Sequence, residues 1–126
     1  MIVGVGARAG VTSAEVLGLV RAVLAEAGAA PADVVALATV DTKGREPGLL
    51  AAAEALGVPL VAYPAGVLAA VPVPHPSERV RRAAGTPSVA EAAALAGGGR
   101  LVVAKRVSGG EAGRGRGVTC AVARGG

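Results

Sequence analysis

Aromatic residues are almost absent from the sequence. Tyr63 is the single tyrosine among 126 residues, and neither phenylalanine nor tryptophan occurs. Proteins that bind single-stranded nucleic acid stack the bases on aromatic side chains, so the sequence excludes this class and we expect no nucleic-acid partner. The core must instead consist of valine, leucine and alanine, in a chain of which 52% is hydrophobic.

Cysteine and histidine occur once each, as Cys120 and His75. A structural zinc site needs about four Cys or His ligands and a disulfide needs two cysteines, so we expect no metal, no disulfide and no cofactor. This composition suits a reducing cytoplasm, which is the expected location. Cys120 lies within a predicted strand and is interpreted as a buried, unreactive thiol. His75 is interpreted as a surface-loop residue, with acid–base catalysis as the alternative.

Long uninterrupted apolar runs are missing as well. Arg8, Glu15, Arg21 and Glu26 interrupt the apolar stretch near the N-terminus, so no signal peptide is expected. No segment is long and apolar enough to cross a membrane, and we expect no membrane partner. The length suits a single domain over residues 1–126, because a chain of this size buries enough surface for one core.

Charge is distributed unevenly along the chain. Residues 1–63 contain four basic and six acidic side chains, whereas residues 64–126 contain nine basic and three acidic ones. The whole chain has a net charge of +4. This excess of cations in the second half favours an anionic ligand or partner. A general bias of the composition towards arginine and alanine is the alternative explanation.

Apolar runs and helical patterns alternate along the first half of the chain. Thr12 and Glu15 form a capping box that predicts the start of a helix. Pro47 predicts the start of a second helix, which Gly57 ends. The predicted strands are residues 2–5, 34–40, 60–62, 101–105 and 118–123. The sequence thus predicts an α/β fold with a mainly parallel sheet of about five strands and helices on its faces.

The second half contains less regular segments. The prolines at 72, 74 and 76 predict a loop, since proline lacks a backbone donor. A short basic helix is predicted for Ser77–Ala84. Ser88 and Glu91 fit a second capping box, at the start of an alanine helix that Gly97–Gly99 ends. The Gly/Arg-rich segment Ser108–Gly117 is predicted to be a flexible hairpin loop between the last two strands.

The first strand is followed by a glycine-rich motif. Gly4-x-Gly6-x-x-Ala9 matches the dinucleotide-binding fingerprint, but its helix begins late, at Thr12, and Asp41 lies too far along the chain for the acidic partner. A nucleotide-binding module is therefore an alternative only. Backbone N–H groups before a helix favour an anion, and candidate contacts are Gly6, Arg8, Gly10, Thr12 and Ser13. A plain tight turn is the other interpretation.

Charged residues also follow the second predicted strand. Asp41, Lys43 and Glu46 lie beyond its carboxyl end, where ligands bind in open α/β sheets. Asp41 and Lys43 are expected to contact a substrate or each other. A solvated loop with an exposed ion pair is the alternative, because such a pair contributes little.

Taken together, the motifs resemble one known family. They occur in the order Gly4-x-Gly6-x-Arg8-x-Gly10-Val-Thr12, Asp41-x-Lys43-x-x-Glu46-x-Gly48-Leu49-Leu50, Pro76-Ser77, Ser88-Val-Ala-Glu91, Lys105 and Val118-Thr119. Their order resembles that of the family formed by the C-terminal domain of CbiG and the stand-alone protein CobE of cobalamin biosynthesis. The resemblance covers essentially the whole chain and implies work on precorrin macrocycles in corrin-ring construction.

The resemblance implies one of two activities. Full-length CbiG opens the lactone of cobalt-precorrin-5A and releases a two-carbon fragment as acetaldehyde. This chain has Ala7 and Ala9 where the family usually has Cys and Arg, and it has no counterpart of CbiG's other domains. We therefore expect it to bind a precorrin or cobalt-precorrin intermediate or to hand it over to other enzymes of the pathway. Lactone hydrolysis is the alternative, and no catalytic residue is assigned.

Corrin intermediates carry acetate and propionate carboxylates, so their pocket needs cations and backbone donors above an apolar floor. The predicted loops and helix starts meet at one edge of a parallel sheet and supply these groups. The substrate-binding residues expected on this basis are Gly6, Arg8, Gly10, Thr12, Ser13, Asp41, Lys43, Glu46 and Ser88.

Overall fold

The computed structural model describes residues 1–8, 10–71, 89–107 and 118–125. Several sequence-based predictions lie outside these residues. They are the proline loop with His75, the basic helix Ser77–Ala84, the cap residue Ser88 and the flexible loop Ser108–Gly117.

In the described residues, five strands form one sheet. They are β1 (Ile2–Ala7), β2 (Ala36–Val40), β3 (Leu60–Tyr63), β4 (Arg100–Val107) and β5 (Val118–Arg124). Their order across the sheet is β3-β2-β1-β5-β4. The first three strands are parallel neighbours, as predicted. β5 pairs antiparallel with both β1 and β4, so the sheet is mixed, and the prediction of a mainly parallel sheet was wrong.

The direction of β4 relative to β5 follows from the length of one connection. A parallel pair needs a crossover of about a dozen residues or more, usually including a helix. The connection between Val107 and Val118 is shorter than that, so β4 and β5 pair antiparallel. The pattern of apolar residues predicts where these strands lie, but it does not define their direction.

Four α-helices are seen in the described parts of the chain. They are α1 (Ser13–Glu26), α2 (Pro47–Leu56), α3 (Ala65–Ala69) and α4 (Val89–Leu95). The predicted capping box is present, since Thr12 Oγ1 accepts a hydrogen bond from Glu15 N at 3.1 Å and Thr12 N donates to Glu15 Oε1 at 3.4 Å. Gly57 ends α2 with a φ of +71°, as predicted for a left-handed residue.

One face of the sheet carries large apolar side chains. This face, here called the valine face, includes Val3 and Val5 of β1, Leu37 of β2 and Cys120 and Val122 of β5. α1 and α2 pack against it with the following buried residues: Val16, Leu19, Val20, Val23, Leu24, Leu49, Ala52 and Ala53. The valine face therefore holds the main hydrophobic core.

The centre of the opposite face carries very small residues. This centre, here called the alanine face, consists of Gly4, Ala38, Ala121 and Ala123, and α4 packs on it with alanines of its own. A Cβ atom at Gly4 would overlap the carbonyl oxygen of Ala90 in α4. The first glycine of the apparent dinucleotide fingerprint therefore permits close approach of a helix backbone to β1.

Candidate functional site

β1 and β2 run parallel and end at the same edge of the sheet. Their paired residues run from Ile2 with Ala36 to Gly4 with Ala38. Beyond this point β1 continues to pair with β5 up to Ala7. The buried hydroxyl of Thr39 donates to the carbonyl of Val5 at 2.7 Å, which links the two strands where their backbone pairing ends.

The loops that follow these strands are in contact. Gly10 N donates a hydrogen bond to Glu46 Oε1 at 3.0 Å. Two residues farther on, Gly48 at the start of α2 lies so close to Val11 that a Cβ atom there would overlap the carbonyl oxygen of Val11. The structure thus brings together the loop that contains Arg8 and residues 10–12 and the loop of residues 41–46, as the two motifs predicted. We call their meeting place the loop edge.

The cations of the loop edge have no polar partner in the described part of the chain. Arg8 and Arg45 are exposed and Lys43 is half-buried. Within the described residues none of the three side chains forms a hydrogen bond or an ion pair, and Lys43 does not pair with Asp41. Their charges remain available for an acidic ligand. Arg45 was not among the predicted site residues, although it lies on the same loop as Lys43.

Other predicted residues serve the fold. Gly6 lies within β1 opposite Thr119, and a Cβ atom there would come within 2.6 Å of Thr119 Oγ1. Thr12 Oγ1 lies 3.2 Å from Glu15 Oε1 within the capping box. Ser13 is the half-buried first residue of α1. Ser88 lies outside the described residues, but Val89, which follows it, contacts the Gly6 position and so begins α4 near the same edge.

Glu91 is a buried carboxylate that sequence analysis assigned to a capping box. Its exposure is 3%, and its Oε2 accepts a hydrogen bond from Lys105 N at 2.9 Å. This bond joins α4 to β4. The sequence pattern gave no sign of the partner, because a Glu three residues after a Ser is read first as a local helix signal.

The thiol of Cys120 is not a candidate nucleophile. It is fully buried on the valine face, and burial raises the pKa of its thiol to about 12. A thiol with this pKa stays protonated at neutral pH and is a poor nucleophile. The predicted buried thiol is confirmed.

Two open depressions lie away from the loop edge, where β1 begins and β5 ends. Their volumes are about 610 and 620 Å³, and both are lined by Arg124 and Gly125. In the described residues no group of three His, Cys, Asp or Glu side chains is placed to hold a metal ion. None of the described helices is long and apolar enough to cross a membrane.

Residues 1–123 match the model of a protein family described as the cobalamin synthesis G C-terminus. A protein named CobE from a Sinorhizobium species is 40% identical in an alignment 113 residues long, which covers 86% of this chain and 73% of that protein.

Two crystal structures are similar over most of their lengths. One is CobE, a protein from the cobalamin biosynthetic pathway, with a TM-score of 0.76 and 35% identity over 95% of this chain and 89% of that one. The other is the cobalamin biosynthesis protein chiG from Agrobacterium tumefaciens, with a TM-score of 0.71 and 32% identity over 98% of this chain and 97% of that one.

Proposed function

The chain belongs to the family of the cobalamin synthesis G C-terminus and is a protein of cobalamin biosynthesis, and from this premise we propose that it binds an acidic corrin-ring intermediate at the loop edge. It then hands the intermediate to another enzyme of the pathway. The observation that carries this proposal is that Arg8 and Lys43, on two loops that are in contact, have no polar side-chain partner among the residues that the structure describes.

The chemistry of the ligand suits this arrangement. Corrin intermediates carry several carboxylates around an apolar ring, and one cation cannot satisfy more than one edge of such a molecule. The Arg8 guanidinium can donate two parallel hydrogen bonds to one carboxylate. The Lys43 ammonium provides a second positive charge from the neighbouring loop, and the first turn of α1 adds the positive end of its dipole.

Further polar groups complete the proposed contacts. The Ser13 hydroxyl can donate to a ligand oxygen. Asp41 is exposed on the same loop as Lys43 and can accept from an amide or ring N–H of the ligand. Together these groups distinguish a molecule that carries both acids and donors from a simple anion.

Binding fits this edge better than lactone hydrolysis. Ala7 supplies no thiol at the end of β1, and the Cys120 thiol is buried on the valine face. A nucleotide site is not favoured either, because Gly4 lies beneath α4 instead of facing a pyrophosphate. Both alternatives therefore lack a supporting observation among the described residues.

A titration with uroporphyrin, a tetrapyrrole with many carboxylates, tests the proposal. The chain has one tyrosine and no tryptophan, so it absorbs little in the near ultraviolet and the bound macrocycle dominates the absorbance spectrum. Arg8→Ala is expected to weaken binding by about tenfold, as the loss of a charged hydrogen bond does. Arg21→Ala, on the exposed side of α1, removes the same charge and is the control. Equal affinities for both variants would contradict the assigned site.

A further inference from the structure

We infer that Glu46 is a positioning residue of the loop edge, which holds the loop of Arg8 against the loop of Lys43 so that both cations reach one acidic ligand. This inference rests on the proposed function. It reassigns Glu46 from ligand contact to internal support.

The Glu46 carboxylate is committed to a residue far away in the sequence. Its Oε1 accepts from the backbone N–H of Gly10, 36 residues earlier, at 3.0 Å. Gly10 has a φ of +86°, a left-handed conformation that glycine adopts without strain. The loop after β1 is therefore shaped to present this N–H group to Glu46.

Glu46 does not use its side chain for its own helix. It occupies the cap position of α2, where its carbonyl accepts from the N–H groups of Leu49 and Leu50 at 3.0 Å each. Its side chain forms no hydrogen bond to that helix. A carboxylate at this position is favourable for the helix dipole, yet its hydrogen-bonding capacity is used to join the two loops.

The neighbouring cations also point to a supporting role. Glu46 forms no ion pair with Arg8, Lys43 or Arg45 in the described part of the chain. It therefore fixes the loops without neutralising the groups that an acidic ligand needs. The close contact of Gly48 with Val11 provides a second point of attachment between the same loops.

Electrostatics and positioning predict effects of opposite sign, which makes the inference testable. Removing a negative charge that lies beside a bound polyanion removes a Coulomb repulsion, and this alone strengthens binding of the polyanion. Removing a support for two cations weakens it. Glu46→Ala removes both charge and acceptor, whereas Glu46→Gln removes the charge and keeps Oε1 as the acceptor of the Gly10 N–H.

The experiment is a uroporphyrin titration of the wild type and three variants, each checked by thermal melting. We expect Glu46→Ala to bind about three- to tenfold more weakly than the wild type and Glu46→Gln to bind at least as tightly as the wild type. Glu54→Ala, exposed on α2, removes an equal charge outside the loop edge and is expected not to weaken binding. An affinity of Glu46→Ala equal to or above that of Glu46→Gln would overturn the inference.

Two further measurements separate positioning from general stability. The loss of uroporphyrin affinity caused by Arg8→Ala should be smaller in the Glu46→Ala variant than in the wild type, because the guanidinium is then no longer held in place. Hydrogen exchange of the Gly10 amide should speed up in Glu46→Ala and stay slow in Glu46→Gln. If the wild type does not bind uroporphyrin, the proposed function fails. The Gly10 exchange then decides the inference, and equal rates in the two variants overturn it.

Discussion

The two faces of the sheet use the same strands for different purposes. Along β1, Val3 and Val5 point to the valine face, and Gly4 between them points to the alanine face. Large side chains remove more apolar area from water, so the valine face supplies most of the hydrophobic stabilisation. Small residues supply little area but let a helix backbone approach the sheet closely. The comparison separates residues that stabilise the fold from residues that set its geometry.

The same difference determines which changes each face tolerates. Loss of volume on the valine face leaves a cavity, whose cost depends on how far the neighbours relax. Addition of volume on the alanine face meets backbone atoms of α4, which cannot rotate away as a side chain does. We therefore expect the valine face to be sensitive to deletion and the alanine face to addition.

The largest effect is expected for Leu37→Ala on the valine face. Leu37 is fully buried among residues of α1, α2 and the sheet. Its truncation should lower the free energy of unfolding by about 2–5 kcal/mol, as large-to-small core changes do. Urea denaturation measures this value. Ala38→Gly, the neighbouring residue on the alanine face, is the matched control and should cost clearly less. Equal losses would remove the distinction between the faces.

Gly4→Ala should have the next largest effect. The added Cβ would overlap the carbonyl oxygen of Ala90, so α4 must shift, at a cost of about 1–3 kcal/mol. Gly18→Ala provides the control, because Gly18 is exposed within α1 and a Cβ there meets no neighbour within 4 Å. That change should stabilise the protein by about 0.5–1 kcal/mol, since alanine favours helices. If Gly4→Ala and Gly18→Ala changed the free energy of unfolding in the same direction, the close approach of α4 to β1 would be contradicted.

Cys120 gives the valine face a pH-dependent signature. Its folded-state pKa of about 12 lies above the value of 9.0 for an exposed thiol, because burial disfavours the thiolate. The unfolded state therefore loses a proton first, and stability falls as the pH rises from about 9 towards 12. The slope attributable to this thiol is about 1.4 kcal/mol per pH unit.

Denaturant unfolding of the wild type and of Cys120→Val from pH 8 to 11 isolates this contribution, since all other titrating groups are shared. The stability curve of the variant should be flatter above pH 9. Parallel curves would mean that the thiol is not desolvated.

The smallest effect is expected at a surface ion pair outside both faces. Arg106 and Glu26 join β4 to α1 at 2.9 Å, with side chains that are 46% and 43% exposed. Such pairs contribute about 0.2–1 kcal/mol and weaken in salt. Arg106→Ala, measured by thermal melting at low and high ionic strength, should shift the melting temperature slightly at low salt only. A loss comparable to that of Leu37→Ala would show that charge, and not the valine face, dominates stability.

Local signals predicted a large part of the fold. The apolar runs located the strands, and Thr12, Glu15 and Pro47 marked the helix starts, because each acts on residues within one turn. The prediction of a mainly parallel sheet was wrong because β5 lies antiparallel beside β1, and the apolar pattern does not show which strands become neighbours. The antiparallel pairing of β4 with β5 agrees with the hairpin predicted between the last two strands.

The meeting of the two loops was predicted, but the contacts between them were not. The carboxyl ends of parallel strands must share an edge, so the meeting of the two loops followed from the topology. The role of Gly4 did not follow, since the atoms that exclude a side chain there belong to α4, far along the chain. The contact of Glu46 with Gly10 was missed for the same reason, because no local pattern encodes a bond over such a distance.

The position of β1 in the sheet affects how the chain folds during synthesis. β1 leaves the ribosome before the other four described strands, yet one of its two edges pairs with β5, with Ile2 opposite Ala123. Contacts this distant in sequence close slowly. Until β5 emerges, one edge of β1 exposes unpaired N–H and C=O groups that another chain can join. A pause of translation before Val118, or truncation of the chain there, leaves this edge of β1 unpaired. Either should therefore promote aggregation of the chain more than removal of the outer strand β3 does.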